Sequence, residues 1–337
     1  MMNKKVIIIA EAGVNHNGDI KLARQLIDAA ADAGADYVKF QTFIPSLLVS
    51  KNAIKAEYQA KNTEEGSQIE MLNQLALKHK QFRELKDYCD QRMIGFLSTG
   101  FDDESVMFID NLGVEYHKVP SGEITNLPYL RLIGSLRKKV ILSTGMATLE
   151  EVKTSVKILK EAGSDDITVL HCTTEYPAPA EEVNLRAIMT MHQELGLPTG
   201  YSDHTQGIVI PLAAVAMGAV MIEKHFTLSR ELPGPDHKAS LEPAELAEMV
   251  KTIRLIEKAL GDGIKQPTAS EIKNIIVARR SIHIKHDLPK GHKLSEDDLI
   301  MKRPGEGISP MKYQEVIGKT LLDDLAADTM LQEDQFG

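Results

Sequence analysis

The chain has 337 residues, with 39 Lys and Arg against 48 Asp and Glu, a formal charge of −9, 43% hydrophobic and 26% charged residues. Such a composition excludes disorder, collagen and a coiled-coil rod. The acidic balance argues against a nucleic-acid footprint, because phosphate binding needs clustered basic residues and the densest here are pairs such as Arg279-Arg280. The N-terminal apolar stretch of about five residues is shorter than a signal core of roughly 7–15. Gly207 to Ile222, the longest uncharged run, is broken by Pro211 and Gly218 and falls short of the roughly 20 residues that cross a bilayer. Two cysteines, Cys89 and Cys172, make no disulfide framework. The expectation is a cytoplasmic protein with no membrane and no nucleic-acid partner.

In chain order, short apolar, β-branched runs predict strands at Val6–Glu11, Tyr37–Gln41, Gly95–Thr99, Tyr116–Ser121, Lys139–Thr144, Ile167–Thr173, Thr199–His204 and Val220–His225. Amphipathic stretches between them predict helices at Asp19–Ala33, Lys80–Arg92, Asp102–Asn111, Leu127–Leu136, Leu149–Ala162, Leu185–Leu195 and Ile208–Met217, and Pro243–Leu260 closes the series. Gly34, Gly113, Gly163, Gly196 and Gly261 stand where helices stop. Eight strand–helix units over about 260 residues meet the requirement of a (β/α)8 barrel, and no Gly-rich dinucleotide turn follows the first strand. The predicted class is therefore α/β, with a (β/α)8 TIM barrel over residues 1–262. One interval breaks the rhythm: Ile44–Leu77, between the second and third strands, is polar and charged and reads as a long loop over one mouth. Residues 263–277 read as a turn-rich linker, in which a helical run begins at Glu271. Strand-like Ser281–Ile284 and Leu299–Met301 then predict a small β-rich domain over 278–337, of a size that is marginal alone.

Barrel enzymes carry their chemistry at the C-terminal ends of the strands. Polar residues fall there in nearly every unit: Glu11, Lys39 and Gln41, Ser98 and Thr99, Lys118 with Ser121 and Glu123, Ser143 and Thr144, His171, Ser202 to His204, Glu223 and His225. One such ending is ordinary turn chemistry; the whole set on one mouth reads as an enzyme. His204 and His225 end neighbouring strands about 4.8 Å apart, so that two imidazoles reach one divalent ion. With oxygen donors around it the ion would be Mn²⁺, Mg²⁺ or another divalent metal, and hydrogen-bonded rim histidines are the alternative. Glu11 or Glu223 would act through a bound water. Lys39 and Lys118, with the Ser121-Gly122 turn and the hydroxyls of Thr99, Ser143 and Ser202, suit a phosphate and a carboxylate, against the alternative of rim lysines. Cys172 is expected to face away from the mouth and pack as core.

AEAGVNHNG (10–18), VKFQT (38–42), STGF (98–101), KVPSGE (118–123), LSTGM (142–146), HCTTEYP (171–177), GYSDHT (200–205), EKHFT (223–227), PGPDHKAS (233–240) and KRPG (302–305) together resemble the sialic acid synthase family, along essentially the whole chain. Members condense phosphoenolpyruvate with an N-acetylated hexosamine. The resemblance implies His204 and His225 as metal ligands, Glu11 as the residue handling the attacking water, and Glu123 as a second carboxylate at the reaction. It implies a phosphoenolpyruvate site of Lys39, Thr99, Lys118, Ser121, Gly122, Ser143 and Ser202, and sugar recognition by Gln41, Glu123, Tyr176, Asp236 and Arg303. Residues from about 278 resemble an antifreeze-like (SAF, β-clip) domain, which in the family crosses to the partner barrel of a homodimer and would bring Arg303 there. Gly100 and Thr174 depart from the family pattern at Pro and Asn positions. The implied acceptor is N-acetylmannosamine, giving N-acetylneuraminate; the alternative is 2,4-diacetamido-2,4,6-trideoxymannose, giving N,N'-diacetyllegionaminate. The Ile44–Leu77 loop, with Asn62, is the expected place of that choice. A sugar phosphate acceptor would need a further basic cluster, and none is spare. A non-enzymatic reading, with the tail binding ice or carbohydrate, meets no flat Thr-rich face.

Overall fold

The computed structural model describes residues 5–50, 52–63 and 66–337. Eight strands, β1 Ile7–Gly13, β2 Tyr37–Thr42, β3 Gly95–Gly100, β4 Tyr116–Val119, β5 Lys139–Ser143, β6 Ile167–Cys172, β7 Thr199–Asp203 and β8 Met221–His225, form a parallel sheet ordered β3-β2-β1-β8-β7-β6-β5-β4. β1 pairs with both β2 and β8, which curls the sheet into the expected (β/α)8 barrel. β3 and β4, at the two ends of that order, lie against each other without a ladder. The Tyr129 hydroxyl serves this seam, donating to the Gly100 carbonyl at 2.6 Å and lying 3.5 Å from that of Lys118.

The barrel interior is built in layers. Ile9, Leu97, Tyr116, Ile141, Leu170 and Met221 form a buried apolar plug, with Tyr37 packed against it. Side chains alternate along a strand, so the next inward residue on each of these strands is Glu11, Thr99, Lys118, Ser143, Cys172, Glu223 and Lys39. On β7 the plug position is Gly200, where an added Cβ would stand 2.4 Å from the Met221 carbonyl oxygen and 2.6 Å from a Leu170 methyl. Its neighbours thus fill the space beneath Ser202. Outside the barrel, Leu26, Ile27, Leu85, Ile133, Leu159 and Leu246 are among the helix residues buried against the outward faces of the strands.

The interval read as a loop contains three helices, Pro45–Leu48, Glu57–Asn62 and Gln68–Leu75. The first two bury no residue and are too short to show a period. The third is capped reciprocally: the Glu70 amide donates to Ser67 Oγ at 3.3 Å and the Ser67 amide to Glu70 Oε2 at 2.8 Å. It buries Met71, Leu72 and Leu75 beside Val14 and Phe43. The fourth strand is shorter than expected because Ser121–Glu123 winds into a 3₁₀ turn. Among the described residues no helix is long and apolar enough to cross a membrane.

The chain divides into two units, 1–262 and 263–337. The second holds a helix, Ala269–Ala278, and an antiparallel pair, β9 Ser281–Ile284 and β10 Leu299–Lys302, around a core that includes Ile282, Ile284, Leu294, Leu299, Leu321 and Leu331. Buried Asp298 organises one corner, accepting from the Ser295 amide and hydroxyl at 2.7 Å each, and standing 3.0 Å from Nε2 of both His286 and His292. Burial works against its charge, yet Ser295 and His292 hold its carboxyl well below the usual range. A depressed carboxyl contributes stability that is complete above about pH 4 and is lost as the pH falls further. Asp298→Ala should destabilise this unit by about 2 kcal/mol, read as faster hydrogen exchange of the Ile282–Ile284 amides. Unchanged protection would deny the carboxylate this role.

Candidate active site

A cavity of about 310 Å³ opens at the C-terminal ends of the strands. It gathers Glu11, Lys39, Gln41, Thr99, Lys118, Ser121, Gly122, Ser143, Tyr176, Ser202, His204, His225 and Asp236. Each strand delivers its residue through the same alternation that sets the plug beneath, and the Pro233–Asp236 turn after β8 delivers the last.

The floor carries four buried charges. Lys39 Nζ lies 2.9 Å from Glu11 Oε2 and 3.7 Å from Glu223 Oε2, and Lys118 Nζ lies 3.5 Å from Glu223 Oε1. Thr99 accepts from Lys39 at 3.2 Å, Ser143 accepts from Lys118, and the Ser202 hydroxyl donates to Glu223 at 3.1 Å. Burial pushes the Glu11 carboxyl up to about 7 against the pull of Lys39, and the Glu223 charge adds to the rise. Glu223 faces the same burial, but Lys118 and Lys39 hold it down to about 2. Two carboxylates on one floor are thus driven apart, one ionised and one able to carry a proton near neutrality. Burial also raises the Asp236 carboxyl to about 6.

Above the floor, the His204 and His225 rings have centroids 5.5 Å apart. His204 Nδ1 lies 2.6 Å from the Thr173 carbonyl, which only an N–H can satisfy. Its Nε2 lies 3.0 Å from the Tyr176 hydroxyl, and although burial works against a charge on the ring, Cys172 and the Thr173 carbonyl raise its pKa. His225 Nδ1 is buried with no hydrogen-bond partner, and burial together with His204 keeps the ring neutral. Two adjacent imidazoles, one of them neutral with an unengaged buried nitrogen, suit a divalent cation whose other positions go to oxygen donors. No group of three or more His, Cys, Asp and Glu among the described residues forms a closed protein cage.

The backbones of both histidines are fixed from outside the barrel by a fully buried pair, Lys224 and Asp203, 2.6 Å apart. Lys224 also donates to the Thr205 carbonyl, and Asp203 accepts from the Thr205 amide at 3.0 Å and from the Tyr201 hydroxyl at 3.0 Å. One ion pair thus grips the chain on either side of His204 and immediately before His225.

The NeuB family model matches residues 26–265 and the SAF domain model residues 279–337. The chain belongs to the NeuB family. It is 52% identical to an N,N'-diacetyllegionaminic acid synthase of Campylobacter jejuni, over 98% of this chain and 100% of that one. A second N,N'-diacetyllegionaminic acid synthase, from Legionella pneumophila, is 48% identical over 96% and 92%. The crystal structure of an N-acetylneuraminic acid (sialic acid) synthetase from Leptospira borgpetersenii, in complex with citrate, superposes with a TM-score of 0.74 at 39% identity, covering 81% of this chain and 91% of that one.

Within this NeuB chain some expected residues stand elsewhere. Glu123 is half-exposed in its 3₁₀ turn, accepts from Asn126 Nδ2 at 2.6 Å and does not line the cavity, because the turn swings it past the end of β4. Arg303, which the resemblance would bring to a partner barrel, is exposed just after β10 in the second unit. Asn62 donates to the Pro235 carbonyl at 3.1 Å and lines a neighbouring cleft. His171 and Cys172 exchange the faces expected of them. β6 pairs Cys172 with Ser202 and His171 with Tyr201, so the thiol lines the cavity while His171 Nε2 meets the Val183 carbonyl at 2.6 Å. Thr174 and Tyr58 also line the cavity, and sequence gave no sign of Tyr58, which sits on a single helical turn. At Gly100 a Cβ would lie 2.8 Å from the Val106 amide, so this position and the following helix are packed as a pair. Lys224→Met should cost about 3–5 kcal/mol in urea unfolding, because Asp203 is left as an unpaired buried charge. A loss below about 1 kcal/mol would show that the Thr205 and Tyr201 hydrogen bonds suffice to hold it.

Proposed function

We propose that this protein joins carbon 3 of phosphoenolpyruvate to the aldehyde carbon of an open-chain N-acetylated hexosamine, adds water at carbon 2 and releases inorganic phosphate. The product is a nine-carbon 2-keto acid. The observation that carries this reading is the floor of two buried lysines and a ring of hydroxyls beneath a pair of adjacent histidines. The names of the relatives point the same way. Those at 52% and 48% identity favour 2,4-diacetamido-2,4,6-trideoxymannose as acceptor, and N-acetylmannosamine takes second place.

Lys39 and Lys118, with Thr99, Ser121, Ser143 and Ser202, bind the phosphate and carboxylate of phosphoenolpyruvate and stabilise the departing phosphate. His204 and His225 would hold a divalent cation, Mn²⁺ or Mg²⁺, which when bound supplies Lewis acidity at the acceptor's aldehyde oxygen. As carbon 3 attacks, the aldehyde oxygen takes up a proton from solvent and carbon 2 becomes an oxocarbenium centre. Glu11, at the edge of the floor, takes a proton from the water that adds there. The resulting tetrahedral carbon then expels phosphate by breaking its C–O bond, and the 2-keto group remains. Gln41, Tyr176 and Asp236 line the side on which the sugar must lie. We assign to the family resemblance alone the homodimer in which Arg303 reaches the partner barrel's sugar.

Phosphate release from phosphoenolpyruvate, dependent on an N-acetylated hexosamine, tests the reaction; no release with any such sugar would sink it. Glu11→Gln should lower kcat by about 10²–10⁴-fold with little change in phosphoenolpyruvate affinity. Kept turnover with lost affinity would make Glu11 a positioning group. His225→Ala should abolish Mn²⁺ binding measured by calorimetry, and chelation should abolish activity until Mn²⁺ or Mg²⁺ is restored. Undiminished Mn²⁺ binding in that variant would move the metal elsewhere.

A further inference from the structure

The cavity has two chemically opposite ends. At the barrel end lie the lysines, each already within reach of a carboxylate. At the other end the lining includes Phe43, Leu48, Val49, Met71, Leu72 and Phe101, with Gln59 and Gln68 from the segment between β2 and β3. The helix Gln68–Leu75 turns Met71 and Leu72 inward, where they are 6% and 9% exposed, and the Phe43 and Phe101 rings meet edge to face at 6.4 Å. No lysine or arginine is among the described residues lining this end. The same segment reaches the chemistry through Tyr58, whose ring stacks on that of Tyr176 at 4.9 Å, while the Tyr176 hydroxyl bonds His204.

An acceptor whose aldehyde carbon meets phosphoenolpyruvate beneath the histidines has to extend its other carbons away from the lysines, toward this wall. We infer that the wall is the surface that selects the acceptor by its far end, favouring a hexose that ends in a methyl over one that ends in a hydroxymethyl, and rejecting one that ends in a phosphate. The inference rests on the condensation reading above and adds the residues that choose its substrate. A methyl group laid on Leu72 and Met71 leaves water for an apolar surface. A hydroxyl laid on Met71 and Leu72 gives up its water for side chains that offer it no hydrogen bond, and a phosphate dianion would do so without a cation. Gln68, on the same helix and also lining the cavity, offers amide groups to an acetamido substituent.

The test compares kcat/KM for phosphate release with 2,4-diacetamido-2,4,6-trideoxymannose, with 2,4-diacetamido-2,4-dideoxymannose, which differs from it only by the hydroxyl at carbon 6, and with the 6-phosphate of the latter. An apolar pocket discriminates against an added hydroxyl by about 100-fold at most, so a preference for the first sugar of about 10–100-fold is expected, with no measurable turnover of the phosphate. Leu72→Asn should narrow the preference several-fold, with phosphoenolpyruvate affinity by calorimetry unchanged as the check on folding. Equal or better use of the 6-hydroxy sugar by the wild type would overturn the inference while leaving the condensation reading intact, since phosphate is still released. An unchanged preference in a Leu72→Asn protein that binds phosphoenolpyruvate would make the wall mere core and overturn it likewise. If Leu72→Asn loses phosphoenolpyruvate binding, Met71→Gln takes its place under the same criteria. Absence of release with all three sugars would overturn the reading and the inference together.

Discussion

Everything at this mouth depends on the two-residue repeat of strands inside a closed barrel. Ile9, Leu97, Tyr116, Ile141, Leu170 and Met221 exclude water from the interior, and two residues further along the same strands come Glu11, Thr99, Lys118, Ser143, Cys172 and Glu223. The plug raises the electrostatic stakes of the layer it supports, because charges resting on a dry apolar floor interact more strongly than they would in water. It also fixes their positions, since a slip of one residue would exchange the two faces of a strand. Gly200 shows how closely the layer is fitted: the neighbouring strands already occupy the space a β7 side chain would need.

The charged floor makes sense only as a set. Burying Lys39 or Lys118 alone would be prohibitive, and Glu11 and Glu223 make it affordable by standing within ion-pair reach. A substrate that brings a phosphate and a carboxylate offers the same lysines a second set of anions. Glu11, whose carboxyl burial lifts to about 7, can take up a proton when its claim on Lys39 weakens, whereas Glu223 stays charged between both lysines. The division of labour between the carboxylates follows from the number of cations each one faces.

The outer part of the cavity obeys a different logic. It is made by a chain excursion between β2 and β3 whose one longer helix, Gln68–Leu75, is anchored by Met71, Leu72 and Leu75. Its buried contacts are largely apolar and lie outside the strands that carry the charged floor, so the proposed choice of acceptor falls on a part of the fold separate from the proposed reaction. Tyr58, stacked on Tyr176, joins the two regions, since the Tyr176 hydroxyl in turn meets His204.

The sequence by itself determined the barrel, because eight apolar runs alternating with amphipathic stretches admit few other arrangements. It determined the small β-rich tail as well, and it placed Lys39, Lys118, His204 and His225 at one mouth, since each stands at the end of a run. Periodicity states that neighbours on a strand oppose each other but leaves open which of them faces inward. Only the pairing of β6 with β7 decided that Cys172 looks into the cavity and His171 away from it. Short helices such as Glu57–Asn62 carry too few residues to show a period, so Tyr58 and the apolar wall emerged only from packing. Glu123 was misplaced for a related reason: β4 ends two residues earlier than the apolar run suggested, and the 3₁₀ turn that follows carries its carboxylate out of the cavity. Local pattern fixes which elements form and roughly where their polar ends lie, while the direction of a side chain at an element's end depends on neighbours distant in sequence.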